Sequence, residues 1–281
     1  MEILVAKHSG FCEGVERAYQ IALKEIDSGY PVYMLGNLVH NTQVVNKFKD
    51  MGVKTVKDLS EIEPGTQGIL LISAHGVSPE VYQKAEKLGL QIVDTTCPWV
   101  KKAQKVAKEL SDAGRLVVII GDTGHPEVTG LRGWAGGKTL VFGDPEELKG
   151  FECPGQEKIG ILAQTTKSQD NFNRMVEMIK EKCRDVEVHN TICGATAKRQ
   201  AAAVELAKKV ELMLVVGDKM SANTKRLTEL CSAAGTETHQ IQTVKELDLK
   251  WLANKKKVGV TAGASTPEWV IEEVITLLRA R

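Results

Sequence analysis

The sequence has little of several features that mark specialised classes of protein. Its 37 basic and 36 acidic residues leave a net charge of +1, so it lacks the charge excess of a protein that binds nucleic acid or an anionic membrane in bulk. No apolar run approaches the length of a membrane span, and the first residues lack the basic and apolar regions of a signal peptide. We therefore expect a cytoplasmic protein with no nucleic-acid or membrane partner.

Cysteine is scarce and unevenly placed. Six cysteines in a cytoplasmic chain favour metal or redox chemistry over a disulfide framework. Three of them follow short β-rich runs and precede segments with helical periodicity: Cys12, Cys97 and Cys193. The other three lie outside this repeated position and are interpreted as thiols without a role: Cys153, Cys183 and Cys231.

The three cysteines belong to a long internal repeat. Twenty-four residues after each cysteine, an apolar strand ends in a glycine, at Gly36, Gly121 and Gly217. Four residues beyond each glycine stands a polar side chain, at His40, His125 and Ser221. A further strand in each unit opens with glycine and ends in a polar tip that contains His75, Thr165 or Ser265. The chain is therefore predicted to contain three copies of one unit.

Each unit reads as strand, cysteine, helix, strand, helix, short strand, helix, strand and helix, which predicts a mainly parallel β-sheet flanked by helices. We expect an α/β trefoil of three pseudo-equivalent lobes around a central iron–sulfur cluster. The predicted lobes are residues 13–97, 98–192 and 193–281, the last completed by an N-terminal strand within residues 1–12. Ligands bind at the carboxyl ends of parallel strands, where all the polar tips fall.

The spacing of the three cysteines favours a cluster over a structural zinc site. Soft thiolates suit both, but zinc sites use closely spaced cysteine pairs that are absent around Cys12, Cys97 and Cys193. Because iron–sulfur cubanes are usually held by four cysteines, three would leave one iron open. A buried, inert thiol is the better interpretation of any one cysteine alone, but it is weak for three at a repeated position.

Two further sets of side chains point to chemistry at the strand ends. Neutral and basic hydrogen-bond donors that suit a diphosphate comprise His40, His75, His125, Ser221, Asn223 and Ser265. Glu127 lies six residues after Gly121, as Asn223 does after Gly217, and is either a proton donor in a closed pocket or a solvated helix-capping residue. Thr165 could orient a substrate hydroxyl beside it.

Eight segments in the correct order resemble the IspH/LytB family of 4-hydroxy-3-methylbut-2-enyl diphosphate reductases. They are Gly-Phe-Cys12-x-Gly-Val, Val-His40-Asn, Ser-Ala-His75-Gly-Val, Thr-Cys97-Pro, Gly-His125-Pro-Glu127-Val, Gln164-Thr165-Thr166, Thr-Ile-Cys193-x-Ala-Thr196 and Gly263-Ala-Ser265. This resemblance implies the last step of the methylerythritol phosphate route to isoprenoids, with isopentenyl and dimethylallyl diphosphate as products.

The resemblance also implies roles for single residues. Cys12, Cys97 and Cys193 would hold a [4Fe-4S] cluster with one open iron for the substrate hydroxyl. Glu127 would deliver protons, and Thr165 would hydrogen-bond the hydroxyl. The diphosphate would contact His40, His75, His125, Ser221, Ala222, Asn223 and Ser265. Ala222 replaces a serine of many members and so removes one phosphate donor. The resemblance further implies a monomer with a ferredoxin or flavodoxin-type electron donor.

Two other functions remain open from the residues alone. A non-redox [4Fe-4S] hydro-lyase of the aconitase type would remove hydroxide without an electron donor. An iron–sulfur sensor would use cluster loss to change a binding surface, but it leaves Glu127 and the strand-end donors unexplained.

Overall fold

The computed structural model describes residues 1–155 and 158–281. In this part of the chain the strands are β1 (Glu2–Val5), β2 (Val32–Leu35), β3 (Lys54–Val56), β4 (Ile69–Ile72), β5 (Gln91–Asp94), β6 (Leu116–Ile120), β7 (Thr139–Phe142), β8 (Ile159–Ala163), β9 (Val186–His189), β10 (Leu212–Val216), β11 (Glu237–Ile241) and β12 (Lys257–Ala262). The helices are α1 (Glu13–Ile26), α2 (Thr42–Asp50), α3 (Pro79–Leu88), α4 (Pro98–Asp112), α5 (Pro126–Ala135), α6 (Gln169–Lys182), α7 (Gly194–Ala207), α8 (Ala222–Ala233) and α9 (Glu268–Arg279). Among these helices, none combines the length and the hydropathy needed to cross a membrane.

One compact unit comprises residues 1–16, 39–50 and 194–281. Its sheet has the strand order β1-β12-β10-β11, and every neighbouring pair is parallel. The N-terminal strand pairs with β12, so that Val5 lies opposite Val260. Helix α9 packs on this sheet through Val270 and Val274, which are buried against the strands.

The other compact unit comprises residues 17–38 and 51–193, and it contains two parallel sheets. Their strand orders are β3-β2-β4-β5 and β7-β6-β8-β9. Helices α4 and α5 pack against the second of these sheets through buried side chains that include Ala107 and Leu131. Val117 and Ile119 of β6 lie in the same cluster.

All three sheets share one strand order, which confirms the predicted fold class of small parallel sheets flanked by helices. The middle strands β4, β6, β8 and β10 are buried along their whole length, as expected when helices cover both faces. The strands that precede the repeated cysteines, β1, β5 and β9, are each at one edge and partly exposed. The lobe boundaries 13–97, 98–192 and 193–281 stay predictions.

One predicted element is different. Where each unit was expected to have a helix after its short strand, the described residues contain only turns or short 3₁₀ segments, at Leu59–Glu61, Val244–Glu246 and Leu249–Leu252. Proline followed by glycine explains this in two of the units, at Pro64 with Gly65 and at Pro154 with Gly155. Proline has no N–H to donate to a preceding turn, and both glycines adopt positive φ, so a helix cannot continue through them.

Candidate active site

The three repeated cysteines have the same backbone environment. Each directly follows the loop after an edge strand and directly precedes a helix, α1, α4 or α7. Each backbone N–H donates to a carbonyl at the tip of the neighbouring strand in the same sheet. These hydrogen bonds join Cys12 to Ala264 (3.1 Å), Cys97 to Ala74 (3.0 Å) and Cys193 to Thr165 (2.9 Å). The repeat seen in the sequence is therefore a repeat of hydrogen bonding.

The six cysteines fall into two groups. Cys12, Cys97 and Cys193 are partly exposed and take no part in a disulfide. Cys153 and Cys183 form a disulfide with a Cα–Cα distance of 5.4 Å, so the expectation of two thiols was wrong. The residues are 30 apart in sequence, and β8 and α6 bring them together. Cys231 is fully buried, and burial raises the pKa of its thiol to about 11, which fits the expected inert thiol.

Glu127 is a buried carboxyl at the start of α5. Only 2% of its surface is exposed, so the solvated capping residue considered from the sequence is excluded. Its two carboxylate oxygens accept hydrogen bonds from Thr165, one from the backbone N–H at 2.7 Å and one from the hydroxyl at 2.9 Å. Burial raises the pKa of Glu127 to about 7, although both of these hydrogen bonds act to lower it. This carboxyl can therefore gain or lose a proton near neutral pH.

Glu127 belongs to a continuous hydrogen-bonded chain. Thr165, which holds the carboxylate, also accepts the backbone N–H of Cys193 through its own carbonyl. At the other end, the N–H of Glu127 donates to Nδ1 of His125 at 3.1 Å. A neutral His125 ring that accepts at Nδ1 carries its hydrogen on Nε2 and can donate there. The chain links a candidate ligand, a titratable carboxyl and an imidazole donor.

His75 and His125 are brought together as predicted from their strand-end positions. Their rings pack edge to face with centroids 5.4 Å apart. His75 follows β4, and His125 is the residue before α5. Proline at the first position of a helix favours its start, and Pro126 and Pro98 thus place His125 and Cys97 at helix N-termini.

The sheet β1-β12-β10-β11, which is the third in the repeat, carries hydroxyl and amide groups at its strand ends. The Ser265 hydroxyl donates to the backbone carbonyl of His40 at 3.0 Å and lies 3.4 Å from the Ser221 hydroxyl. Ser221 caps α8 by accepting the N–H of Thr224, and Ala222 is the first helical residue, with no polar side chain to offer. Burial lowers the pKa of His40, although the nearby carboxylate of Asp218 opposes this effect.

Asn223 is unusual among the described residues. It is 5% exposed, yet neither its side-chain oxygen nor its side-chain nitrogen has a hydrogen-bond partner in the part of the chain that the structure describes. A buried amide without partners costs free energy. Its position in the first turn of α8, next to the Ser221 cap, makes the amide suited to bind a ligand.

Asp218 is a strand-end residue that the sequence analysis did not identify. Its carboxylate accepts the backbone N–H of Thr42 at 2.8 Å and the Thr42 hydroxyl at 2.5 Å, which holds the start of α2. Burial acts to raise the pKa of Asp218, but these hydrogen bonds and one from the Met220 N–H hold it below its usual range. The repeat offered a signal, because the residue after each repeated glycine is Asn37, Asp122 or Asp218.

The fold and these groups define an α/β enzyme with strand-end thiols suited to an iron–sulfur cluster and a buried carboxyl that titrates near neutrality. The chain belongs to the LytB protein family, whose model matches residues 3–279. The resemblance noted from the sequence segments is thereby confirmed.

Curated relatives match over the full length. A protein from Geobacter metallireducens named 4-hydroxy-3-methylbut-2-enyl diphosphate reductase is 47% identical over 279 residues, which is 99% of this chain and 97% of the relative. A protein of the same name from Geotalea uraniireducens is 45% identical over 275 residues, which is 98% of this chain and 96% of the relative.

Solved structures share the fold. The structure of the E-1-hydroxy-2-methyl-but-2-enyl-4-diphosphate reductase from Plasmodium falciparum matches with a TM-score of 0.92 and 30% identity, over 99% of this chain and 87% of that one. A structure described as (E)-4-hydroxy-3-methyl-but-2-enyl diphosphate reductase, the terminal enzyme of the non-mevalonate pathway, matches over 100% of both chains with a TM-score of 0.73 and 36% identity.

Proposed function

We propose that the protein reduces 4-hydroxy-3-methylbut-2-enyl diphosphate to isopentenyl diphosphate and dimethylallyl diphosphate. The reaction consumes two electrons and two protons, breaks the allylic C–O bond and releases the oxygen as water. The observation that carries the proposal is the buried Glu127–Thr165 pair, which offers a proton in a chain whose full-length relatives are named as this reductase.

The family carries an iron–sulfur cluster, and the thiols of this chain fit one. Cys12, Cys97 and Cys193 are outside the disulfide and stand before the first turns of helices, where anionic groups such as thiolate ligands are favoured. We assign them as the three ligands of a [4Fe-4S] cluster with one open iron. When bound, the cluster supplies electrons and a Lewis acid.

Glu127 would hold and deliver the protons. A carboxyl with a pKa of about 7 is partly protonated at neutral pH, which an ordinary glutamate is not. Thr165 positions the carboxyl through two hydrogen bonds, and rotation of its hydroxyl would let it hydrogen-bond a substrate hydroxyl instead. The pair is shielded from water, so the proton is kept for the substrate.

The diphosphate would be bound by the strand-end donors. Ser221, Ser265, Asn223 and the N-terminus of α8, which begins at Ala222, offer hydroxyl, amide and backbone N–H groups, with His40 beside them. His75 and the Nε2 of His125 would add imidazole donors. The unpartnered amide of Asn223 supports this assignment most directly, because a phosphate oxygen and its bound water satisfy such a group.

The electrons would arrive singly from a ferredoxin or flavodoxin-type donor, and we propose that the protein works as a cytoplasmic monomer. The test is anaerobic purification with iron and sulfide analysis, followed by addition of the hydroxymethylbutenyl diphosphate with and without reduced methyl viologen. Turnover that requires both cluster and reductant is expected. Water loss without reductant would instead indicate the hydro-lyase, and a cluster-loaded protein inactive in both arms would indicate the sensor.

A further inference from the structure

The helices that follow the three repeated cysteines differ sharply in their first two turns. After Cys12, α1 begins with the acidic residues Glu13 and Glu16. After Cys193, α7 begins with small residues and a single exposed lysine, Lys198. After Cys97, α4 has no acidic residue until Glu109, and its exposed positions before Glu109 are basic or aromatic, apart from Pro98. One of three equivalent surfaces is thus chemically distinct.

Trp99 gives that surface an exposed aromatic ring. It lies two residues after Cys97 and is 42% exposed, where the equivalent residues of the other helices are Gly14 and Ala195. Large aromatic side chains are enriched at protein interfaces, and this one is exposed close to a candidate cluster ligand.

Three exposed lysines lie on the same helix as the tryptophan. Lys102 lies over the Trp99 ring at 5.6 Å and has no carboxylate partner in the described residues. Lys105 pairs with Glu109 at 3.5 Å, but both side chains are more than half exposed, so this pair is weak and leaves the lysine available. Lys101 is held by Asp94 at 2.7 Å. The surface carries positive charge although the whole chain carries a net charge of only +1.

A groove of about 550 Å³ continues this surface along α4. Its lining combines three lysines, three carboxylates and two large aromatic side chains: Lys101, Lys105, Lys108, Asp94, Glu109, Asp112, Tyr82 and Trp134. The groove is therefore of mixed charge, and the positive charge without a carboxylate partner lies beside it, at Lys102 next to Trp99.

Resting on the proposed function, which requires electrons from outside, we infer that Trp99, Lys102 and Lys105 form a docking surface for a small acidic ferredoxin that delivers electrons beside Cys97. Charge complementarity selects the partner, since carboxylates of a ferredoxin would meet Lys102, which has no carboxylate partner among the described residues, and Lys105, whose pair with Glu109 is exposed and weak. Each docking oxidises the ferredoxin by one electron and reduces this protein by one, so two dockings supply one turnover. Interfaces of electron-transfer proteins are small and rely on charge, which this surface provides.

The test compares two electron donors on the cluster-loaded enzyme. The double variant Lys102→Glu/Lys105→Glu should keep turnover with reduced methyl viologen within about twofold of the wild type. With reduced ferredoxin at low salt, its kcat/KM for ferredoxin should fall at least about tenfold, and the difference should shrink at high salt. Binding of oxidised ferredoxin, measured by titration calorimetry, should weaken by a similar factor. Lys102→Glu alone should show the same pattern more weakly.

Lys198→Glu is the matched control, because Lys198 stands at the same distance from Cys193 as Lys102 does from Cys97. It should leave both ferredoxin binding and ferredoxin-driven turnover unchanged. Equal losses in the α4 variant and this control, or no loss in either, would overturn the inference. Flavodoxin binding that is tighter than ferredoxin binding and depends on the same lysines would overturn the choice of ferredoxin. A wild type inactive with methyl viologen would reject the proposed function, while the calorimetry would still test the surface.

Discussion

The second sheet of the repeat, β7-β6-β8-β9, and the third, β1-β12-β10-β11, have strand ends at equivalent positions that differ in chemistry. Six residues after the repeated glycine, the second sheet has Glu127 and the third has Asn223. Thr165 satisfies both carboxylate oxygens of Glu127, whereas the amide of Asn223 has no partner in the described chain. The same backbone turn thus supports a buried, hydrogen-bonded carboxyl in one sheet and a buried amide without a described partner in the other, and we propose that the first holds a proton and the second binds the diphosphate.

Removing a cluster ligand should abolish the function of both regions, which is the largest expected effect. Cys193→Ser should eliminate turnover and lower the iron content, because a serine hydroxyl is a poor replacement for a soft thiolate. Iron and sulfide analysis and the visible absorption of the cluster measure this. Cys231→Ser is the control, because Cys231 is a buried thiol outside the repeated position, and loss of iron in this variant instead would reverse the ligand assignment.

Glu127→Gln should separate proton delivery from binding. The amide keeps the shape of the side chain but cannot donate a proton as a carboxylic acid does, so turnover should fall by on the order of 10²- to 10⁴-fold. Iron content and substrate affinity, measured on the same preparation, should change little. Turnover close to wild type would remove Glu127 from the mechanism.

Asn223→Ala should weaken substrate binding and leave turnover nearly unchanged, the opposite of what is expected for Glu127→Gln. Loss of the amide removes donors to the diphosphate, so KM should rise about tenfold with a smaller change in kcat. Steady-state kinetics with the diphosphate substrate measure the two constants. A fall in kcat with an unchanged KM would indicate that Asn223 acts on the reacting end and not on the diphosphate.

The pH dependence of stability should sharpen the contrast through folding and not through turnover. The pKa of Glu127 rises from 4.5 to about 7 on folding, so between these values the folded protein holds a proton that the unfolded chain releases. The stabilising contribution of this group is complete below pH 4.5 and is lost as the pH rises to about 7. The free energy of unfolding of Glu127→Gln, compared with that of the wild type, should therefore rise by up to on the order of 3 kcal/mol between pH 4.5 and 8.

Denaturant unfolding of the apoprotein at several pH values measures this difference. Asn223→Ala is the suitable control, because an amide does not titrate and its stability difference from wild type should stay constant over the same range. A constant difference for Glu127→Gln as well would mean that the carboxyl titrates normally.

Much of the fold followed from local sequence. Apolar runs such as Leu116–Ile120 predict strands that are buried on both faces, and Pro98 and Pro126 mark helix starts. The equal spacing of cysteines and glycines predicted three equivalent sheets, since equal spacing means equal backbone paths. The helix predicted after the short strand β3 does not form, because Pro64 and Gly65 end the segment after a single 3₁₀ turn.

The candidate site was only partly predictable. The sequence placed Glu127 six residues after Gly121 and left open whether it was solvated. Its 2% exposure comes from packing in the fold, and burial alone raises its pKa. Asp218 was not identified because its partner Thr42 is 176 residues away in the sequence.

The sequence by itself determined the family, the triplicated α/β pattern, and which side chains stand at the strand ends. These features depend on local periodicity and spacing, which can be read directly from each segment of the sequence. Tertiary structure alone decided the pairing of Cys153 with Cys183, the burial of Glu127 and, within the described residues, the lack of a hydrogen-bond partner for Asn223. Each depends on the solvent exclusion and contacts made by segments far apart in the chain, and only the folded protein brings those segments together.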